Sequence, residues 1–315
     1  MVTEKQKTSE IRDILNRSYQ LLQEGLVGEG FSYIVNGLNN ATQNLAQEKI
    51  DNDVREECLQ HPVAKLVLQE PATRWSFQKP RGYSGDAILI DYMYRVKSCD
   101  VHDSYLGKEL NGYFNLTPAV SSVRWRSNHI AQEIQKYQAS KDSKISVLSV
   151  ASGHLRELAY ISDAAHKIDR FVCIDQDQES NQLVRSTYNQ HHFLEVIDDS
   201  INYILKKKLE GQQFDFIYSA GLFDYLNDKV ASRMIERLYE ILSPGGTMII
   251  PNFLKGINEK VYMETFMKWN LIYRNDDDMI QLCSGLGINK DQIELYHDDM
   301  GNVVYLRIKK FVFCR

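Results

Sequence analysis

The sequence predicts an α/β fold: a mostly parallel sheet with helices on both faces, closed by an antiparallel C-terminal hairpin and preceded by a helical N-terminal region. Three observations predict it. From residue 145 onward, short apolar β-branched runs alternate with helical patterns. The first run, Ile145–Val150, ends in the small-residue turn Ala151-Ser-Gly153, and a second run ends in Asp175. Finally, Gln292–His297 and Asn302–Phe313 flank Asp298-Asp-Met-Gly301, the pattern of a hairpin with glycine in its turn.

The elements follow in order. Residues 1–140 form the helical region. Ile11, Ile14, Leu15, Tyr19, Leu22 and Leu26 recur at helical spacing, as do Phe31, Ile34, Val35, Leu38, Ala41 and Leu45, with Gly28 and Gly30 between the two helices. A short helix starts at His61-Pro62 and stops before Pro71. The loop Lys79-Pro-Arg-Gly-Tyr-Ser-Gly-Asp86 separates it from helices over Ala87–Arg95 and Pro118–Tyr137. Polar Ala139-Ser-Lys-Asp-Ser-Lys144 marks the boundary with the sheet region, 141–315. There the expected strands are 145–150, 171–174, 193–197, 214–219 and 247–250, with helices over 154–165, 177–189, 200–209 and 228–242. Leu242-Ser-Pro-Gly-Gly246 reads as a helix stop and a turn into the fifth strand.

Composition narrows the class. In 315 residues, 43% are hydrophobic and 25% charged, the balance of a chain that builds a core. A net charge of −5 leaves no electrostatic footprint for nucleic acid, and Lys206-Lys-Lys208 reads as a solvated helix face. Five cysteines, Cys58, Cys99, Cys173, Cys283 and Cys314, stand far apart and read as reduced thiols. The eight histidines form no ligand set, so no metal is expected. Without a signal peptide or a long apolar run, the expectation is a cytoplasmic protein with no stable membrane insertion.

Strand, small turn, helix, strand and acid make the layout of a nucleotide-binding βαβ unit. The turn reads Ser149-Val-Ala-Ser-Gly-His-Leu155, with one glycine, so it does not predict a pyrophosphate cradle. Asp175, 22 residues beyond Gly153, can accept from ribose hydroxyls or cap the following helix, and Asp177 can share either task.

Three segments together carry a resemblance. They are Lys79-Pro-Arg-Gly-Tyr-Ser-Gly-Asp-Ala87, Ser149-Val-Ala-Ser-Gly-His-Leu-Arg-Glu157 and Tyr218-Ser-Ala-Gly-Leu-Phe-Asp-Tyr-Leu226. The set resembles a bacterial family of class I S-adenosylmethionine-dependent methyltransferases that includes enzymes similar to the synthase of 3-hydroxy-fatty-acid methyl-ester quorum signals. Val123-Arg-Trp-Arg126 and Trp269-Asn-Leu-Ile-Tyr-Arg274 fit the same pattern, and the resemblance covers roughly residues 60–310. It departs from many class I methyltransferases at Ser149, where an acid is usual, and at Ala151 and Leu155, where glycines are usual.

The resemblance implies S-adenosylmethionine as cofactor and a Rossmann-like core under a helical cap. Asp175, with Gln176 beside it, is placed at the ribose. Ala151, Ser152 and Gly153 let backbone approach the methionine moiety, and Asp199 and Ser200 meet the adenine or cap the next helix. Ser219, Ala220 and Phe223 leave room for, or pack on, the cofactor. Arg126 or Arg124 holds the cofactor carboxylate through an Arg fork. Tyr83 points inward from a lid, or its loop is a structural turn. Glu157 interacts with a helix dipole. Asp224 and Tyr225 are the catalytic candidates, although Phe223 and Tyr225 also suit a core. Tyr92, Asn252, Tyr262, Tyr273 and Arg274 are the substrate-facing candidates, with Arg274 placed to pair with an acidic substrate.

The expected reaction is in-line displacement of a methyl group to a small-molecule acceptor, favouring a carboxylate or hydroxyl oxygen. A carboxylate is ionised at neutral pH and needs no base. A hydroxyl or amine needs one, for which Asp224, Tyr225 and His154 are candidates. Two alternatives stay open: a cofactor-binding regulatory module without turnover, and an N- or C-methyltransferase acting on a protein or another substrate.

Overall fold

The computed structural model describes residues 4–42 and 52–311; the Leu45, Phe313 and Cys314 of the sequence reading lie outside them. The chain divides into two compact units, Met1–Val123 with Gly256–Leu271, and Arg124–Lys255 with Ile272–Arg315. The division falls inside the helix Pro118–Ala139 instead of at the polar stretch near residue 140. The segment 256–271, expected as part of the sheet region, joins the N-terminal helices.

The first unit is helical. Long helices Glu4–Gln23 and Val27–Thr42 pack along the apolar stripes seen in the sequence, burying Ile11, Leu15, Phe31, Ile34 and Leu38. Short helices Asn52–Gln60, Val63–Val67, Pro71–Gln78, Ala87–Met93 and Tyr105–Phe114 follow. Glu70 is fully buried and caps Pro71–Gln78, its two oxygens accepting from Ala72 N and Thr73 N, while Asn111 Nδ2 donates at 2.7 Å. Asp86 caps Ala87–Met93 through Leu89 N and accepts from the Trp75 indole. The inserted helix Lys260–Phe266 sets Tyr262 edge-on to Phe31, with ring centroids 5.3 Å apart.

The second unit holds a seven-stranded sheet. Its strands are β1 (Ile145–Val150), β2 (Ile168–Asp175), β3 (Leu194–Asp198), β4 (Phe214–Tyr218), β5 (Leu242–Phe253), β6 (Ile293–His297) and β7 (Val303–Lys309). Their order is β3-β2-β1-β4-β5-β7-β6. The first five pair in parallel, and β7 runs antiparallel to β5 and β6. The hairpin turn is fastened by Asp298 Oδ1, which accepts from Asn302 N and Val303 N at 2.8 Å, and Gly301 has φ +67°. This is the class I methyltransferase fold, with the antiparallel C-terminal pair that the sequence predicts.

The helix expected over 200–209 is only Asn202–Leu205, Gly28 and Gly30 lie inside Val27–Thr42, and two further elements differ in kind. The segment after β1 is a run of 3₁₀ turns, Arg156–Lys167, and not an α-helix. Its leading residue, Leu155, is left-handed at φ +50° and gives no side-chain cap, so the opening turn of an α-helix is not anchored. Pro244-Gly-Gly246 lies within β5 instead of before it: the pairing with β4 slips there, and Gly245 N donates to Lys310 O of the neighbouring chain segment. A Cβ at Gly246 would stand 2.8 Å from Ser243 O, so only glycine passes.

Candidate active site

The strand order reverses between β1 and β4, with β2 and β3 on one side and β5 on the other. In an open α/β sheet, ligands bind at such a switch, outside the carboxyl ends of the strands. The second unit brings Ala151–Leu155, Asp175, Asp199–Ser200 and Ser219–Tyr225 to those ends.

The turn after β1 has an unusual backbone. Ala151, Gly153 and Leu155 all have positive φ, at +54°, +52° and +50°. Left-handed alanine and leucine are disfavoured, so tertiary contacts must hold them. Asp175 supplies one: Oδ2 accepts from Gly153 N at 2.7 Å and Oδ1 from Asp177 N at 2.9 Å. Leu155, fully buried, supplies another, and its carbonyl accepts from Tyr188 Oη at 3.1 Å. Burial pushes the Asp175 carboxyl above its usual range. The cap of the next helix, Gln178–Thr187, belongs to Asp177, which accepts from Glu179 N and Ser180 N. Gln176 is exposed beside it.

Ser219 is buried at the end of β4, and its hydroxyl donates to Val150 O at 2.9 Å, tying together the two strands that flank the reversal. Ala220 and Gly221 follow, half-buried. Arg126 stands against Gly221: a Cβ there would be 3.5 Å from Arg126 Nη1. Arg126 is 5% exposed and lies in the electrostatic field of Glu157 and Asp224. Glu157 accepts from Tyr218 Oη at 2.5 Å, both groups are buried, and burial holds both above their usual pKa ranges. Beside β3, Asp199 Oδ1 accepts from Ser200 N, while Asp198 pairs with Arg185.

Several expected roles are displaced. Arg274 is 1% exposed, and its five N–H groups meet Asp228 Oδ1 twice, Phe223 O, Leu226 O and Asn252 Oδ1. A guanidinium has five such donors, so none remains for a substrate. Asn252, also expected to face substrate, gives its amide to Phe253 O and Ile272 O. Phe223 is fully buried in the core with Leu226 and Met234. Asp224 is 3% exposed and accepts from Phe253 N at 2.8 Å. Burial pushes its carboxyl up to about 6. Tyr225 is half-exposed, and Tyr273 is buried.

His154 is buried beside Arg156. The remaining tyrosine candidates belong to the first unit. Tyr83 is half-buried between Gly82 and Gly85, whose φ values are +81° and +72°. Tyr92 lies buried against Trp75, with Lys97 Nζ 5.4 Å from its ring. Tyr262 is buried, its hydroxyl 3.0 Å from Thr73 Oγ1. The buried Glu157–Tyr218 pair was not legible in the sequence, because only the assembled sheet sets residue 218 beside residue 157.

Residues 147–246 match the family described as Methyltransferase domain, a span that runs from β1 to the Gly-Gly of β5. None of the curated proteins matches the chain. Among solved structures it is similar to a possible exported protein from Bordetella parapertussis, at 14% identity and TM-score 0.61, over 99% of this chain and 100% of that one. It is also similar to the CurJ carbon methyltransferase, at 10% identity and TM-score 0.50, over 98% of this chain and 92% of that one. The plantazolicin methyltransferase BpumL, solved with SAH, aligns at 13% identity and TM-score 0.48 over 81% of this chain and 99% of that one. At 14% and 10% identity the likeness to the first two is one of fold. Residues 147–246 thus match a methyltransferase domain, and the fold is that of class I methyltransferases.

Proposed function

We propose that this chain transfers the methyl group of S-adenosylmethionine to an oxygen of a small-molecule acceptor, favouring a carboxylate. The observation that carries the reading is the pinned turn: Asp175 Oδ2 accepts from Gly153 N at 2.7 Å at the point where the strand order reverses. Each carboxylate oxygen keeps lone-pair capacity beyond its backbone contact, so Asp175 can still accept from a ribose diol. The left-handed turn presents backbone with small side chains at Ala151, Ser152 and Gly153, which suits a ligand with no phosphates to wrap. We assign Gln176, Asp199 and Ser200 to the nucleoside side of this set, Ser219 and Ala220 to the space beside it, and Arg126 to the cofactor carboxylate.

The bound cofactor supplies an electrophilic methyl on a sulfonium. The chain's own residues position and desolvate the partners, from which much of the acceleration comes. Asp224, the leading base candidate, is buried and engaged with Phe253 N, which leaves it poorly placed to collect a proton from an acceptor. An acceptor that is already ionised needs no such base, and this favours a carboxylate. Tyr225, half-exposed on the same loop, is the residue we assign to contact the acceptor. Resemblance to methyl-ester synthases of hydroxy fatty acids, carried by the three segments quoted above, points the same way.

Calorimetry with S-adenosylmethionine tests the cofactor, and absence of binding at hundreds of micromolar would sink the reading. Transfer of radiolabel from the cofactor into lysate, fractionated by size, tests the acceptor. Label in the small-molecule fraction, labile to mild base as an ester is, is expected. Label in protein, or binding without any transfer, would replace the reading with a protein methyltransferase or a regulatory module.

A further inference from the structure

Asn181 stands in the first turn of helix Gln178–Thr187 and is fully buried. Its side chain does not cap that helix, a task that Asp177 performs. Instead Nδ2 reaches back to the end of β2 and donates to the Asp175 carbonyl at 2.8 Å. The preceding carbonyl, Ile174 O, accepts from Ser152 N at 3.3 Å. Both peptide groups that flank the Asp175 Cα are therefore held, and with them the direction of its Cα–Cβ bond. The Asp175 carboxylate itself meets Gly153 N and Asp177 N, and the residue is only half-buried.

Packing alone does not call for an amide at position 181. Among the described residues, Asn181 Oδ1 is buried with no protein partner. The side chain thus carries a desolvation cost that leucine, with the same branched outline, would not. Docking of the helix does not call for the amide either. Ser180 and Val184 are buried along it, and Tyr188, which ends it, donates Oη to Leu155 O at 3.1 Å. Positions 181 and 188 are seven apart and share one face, so the helix is fastened at its far end without Asn181. What the amide adds is its hold on Asp175 O.

We propose that Asn181 is a positioning residue for the nucleoside site: by holding the Asp175 carbonyl it aims the Asp175 carboxylate at a ribose diol, without itself touching the ligand. The inference rests on the reading of Asp175 as the ribose acceptor. A carboxylate that takes two hydroxyls must meet both in line at once, and hydrogen bonds weaken steeply when misaligned. A small rotation of the 175–176 peptide would swing the carboxylate off that alignment. Fixing the peptide beforehand spares the ligand the cost of ordering it.

Calorimetry on the full chain compares S-adenosylhomocysteine with its 2′,3′-dideoxy analogue, which differs only in the diol. The unsubstituted protein is expected to favour the hydroxylated ligand by about tenfold or more, the worth of one net hydrogen bond. In Asn181→Ala and in Asn181→Leu the preference is expected to fall to about threefold or less, with the dideoxy analogue bound as before. One variant underfills the position and the other overfills it, so a common loss belongs to the missing donor. A preference kept in both variants, or an equal loss for both ligands, would overturn the proposal, because Asn181 would then only brace the unit. Failure of both variants to fold would overturn it for the same reason. Absence of any preference in the unsubstituted protein would also overturn it, while leaving the cofactor reading in place. No binding of either ligand to the unsubstituted protein would overturn the cofactor reading, and this inference with it.

Discussion

Asp175 is not the helix cap that the sequence offered as one of its two roles. Its carboxylate fastens the β1 turn and the residue before the next helix, while Asp177 takes the cap. Replacing Asp175 with alanine removes acceptors for two backbone N–H groups, each worth on the order of 1.5–3 kcal/mol when the acceptor is charged. Asp175→Ala is therefore expected to lower Tm and weaken S-adenosylmethionine at least tenfold, read by calorimetry on protein still folded by circular dichroism. Unchanged affinity would remove Asp175 from the cofactor site. Asp224 carries a pH signature. Burial raises its carboxyl from 3.8 to about 6, so its neutral form is the one the fold prefers. That preference stabilises fully below the unfolded pKa and is lost as pH rises through about 6. Between those two values the linkage amounts to roughly 3 kcal/mol. Urea unfolding of Asp224→Asn and the parent should converge or favour the parent near pH 4, and move toward the variant by up to that amount by pH 7.5. A difference flat with pH would mean that Asp224 stays ionised throughout.

At the scale of elements, the part of helix Pro118–Ala139 beyond Arg124 is fastened to the C-terminal hairpin by an aromatic and ionic set. Trp125 stacks on His129 at 4.1 Å, Tyr296 Oη lies 2.8 Å from His129 Nε2, and Arg307 bridges Glu133 and Glu294. Burial lowers His129 to about 4, with Arg307 and Lys136 adding to the shift and Glu133 and Asp299 opposing it. A lowered imidazole stabilises the fold above its unfolded pKa of 6.5 and loses that contribution as pH falls toward 4. His129→Gln should flatten the acid limb of the stability curve between those values, as measured by chemical denaturation. An unaltered limb would show that other groups govern it. The periodicity of this helix and of the hairpin is plain in the sequence, yet their mutual contacts join residues more than 160 positions apart.

For the whole molecule, the division into 1–123 with 256–271 changes what a truncation does. Val261, Tyr262, Met263, Phe266, Met267 and Trp269 are all buried, within a unit otherwise made from the N-terminal helices. Deleting residues 1–115 would bare these side chains, each contributing roughly 1.5–3 kcal/mol when buried. The product 116–315 is expected to aggregate on size-exclusion chromatography; a monodisperse species with native cofactor affinity would show that the inserted segment does not depend on the N-terminal helices.

Read alone, the sequence determined the class and order of the elements: the helical start, five alternating strands and the closing hairpin. These follow from local periodicity and from glycine and proline positions, which act within a few residues of themselves. It also located the turn after β1 and Asp175, because strand ends in such a sheet converge on one edge. It left open whether Phe223 is core, and it did not reveal that Arg274 and Asn252 form an internal clamp, that Glu157 pairs with Tyr218, or that residues 256–271 belong with the N-terminal helices. A charged or aromatic side chain reads the same whether it faces a ligand or a buried carbonyl. Only the tertiary structure decides, by bringing distant donors and acceptors together, as it does for Arg274 and Asn252.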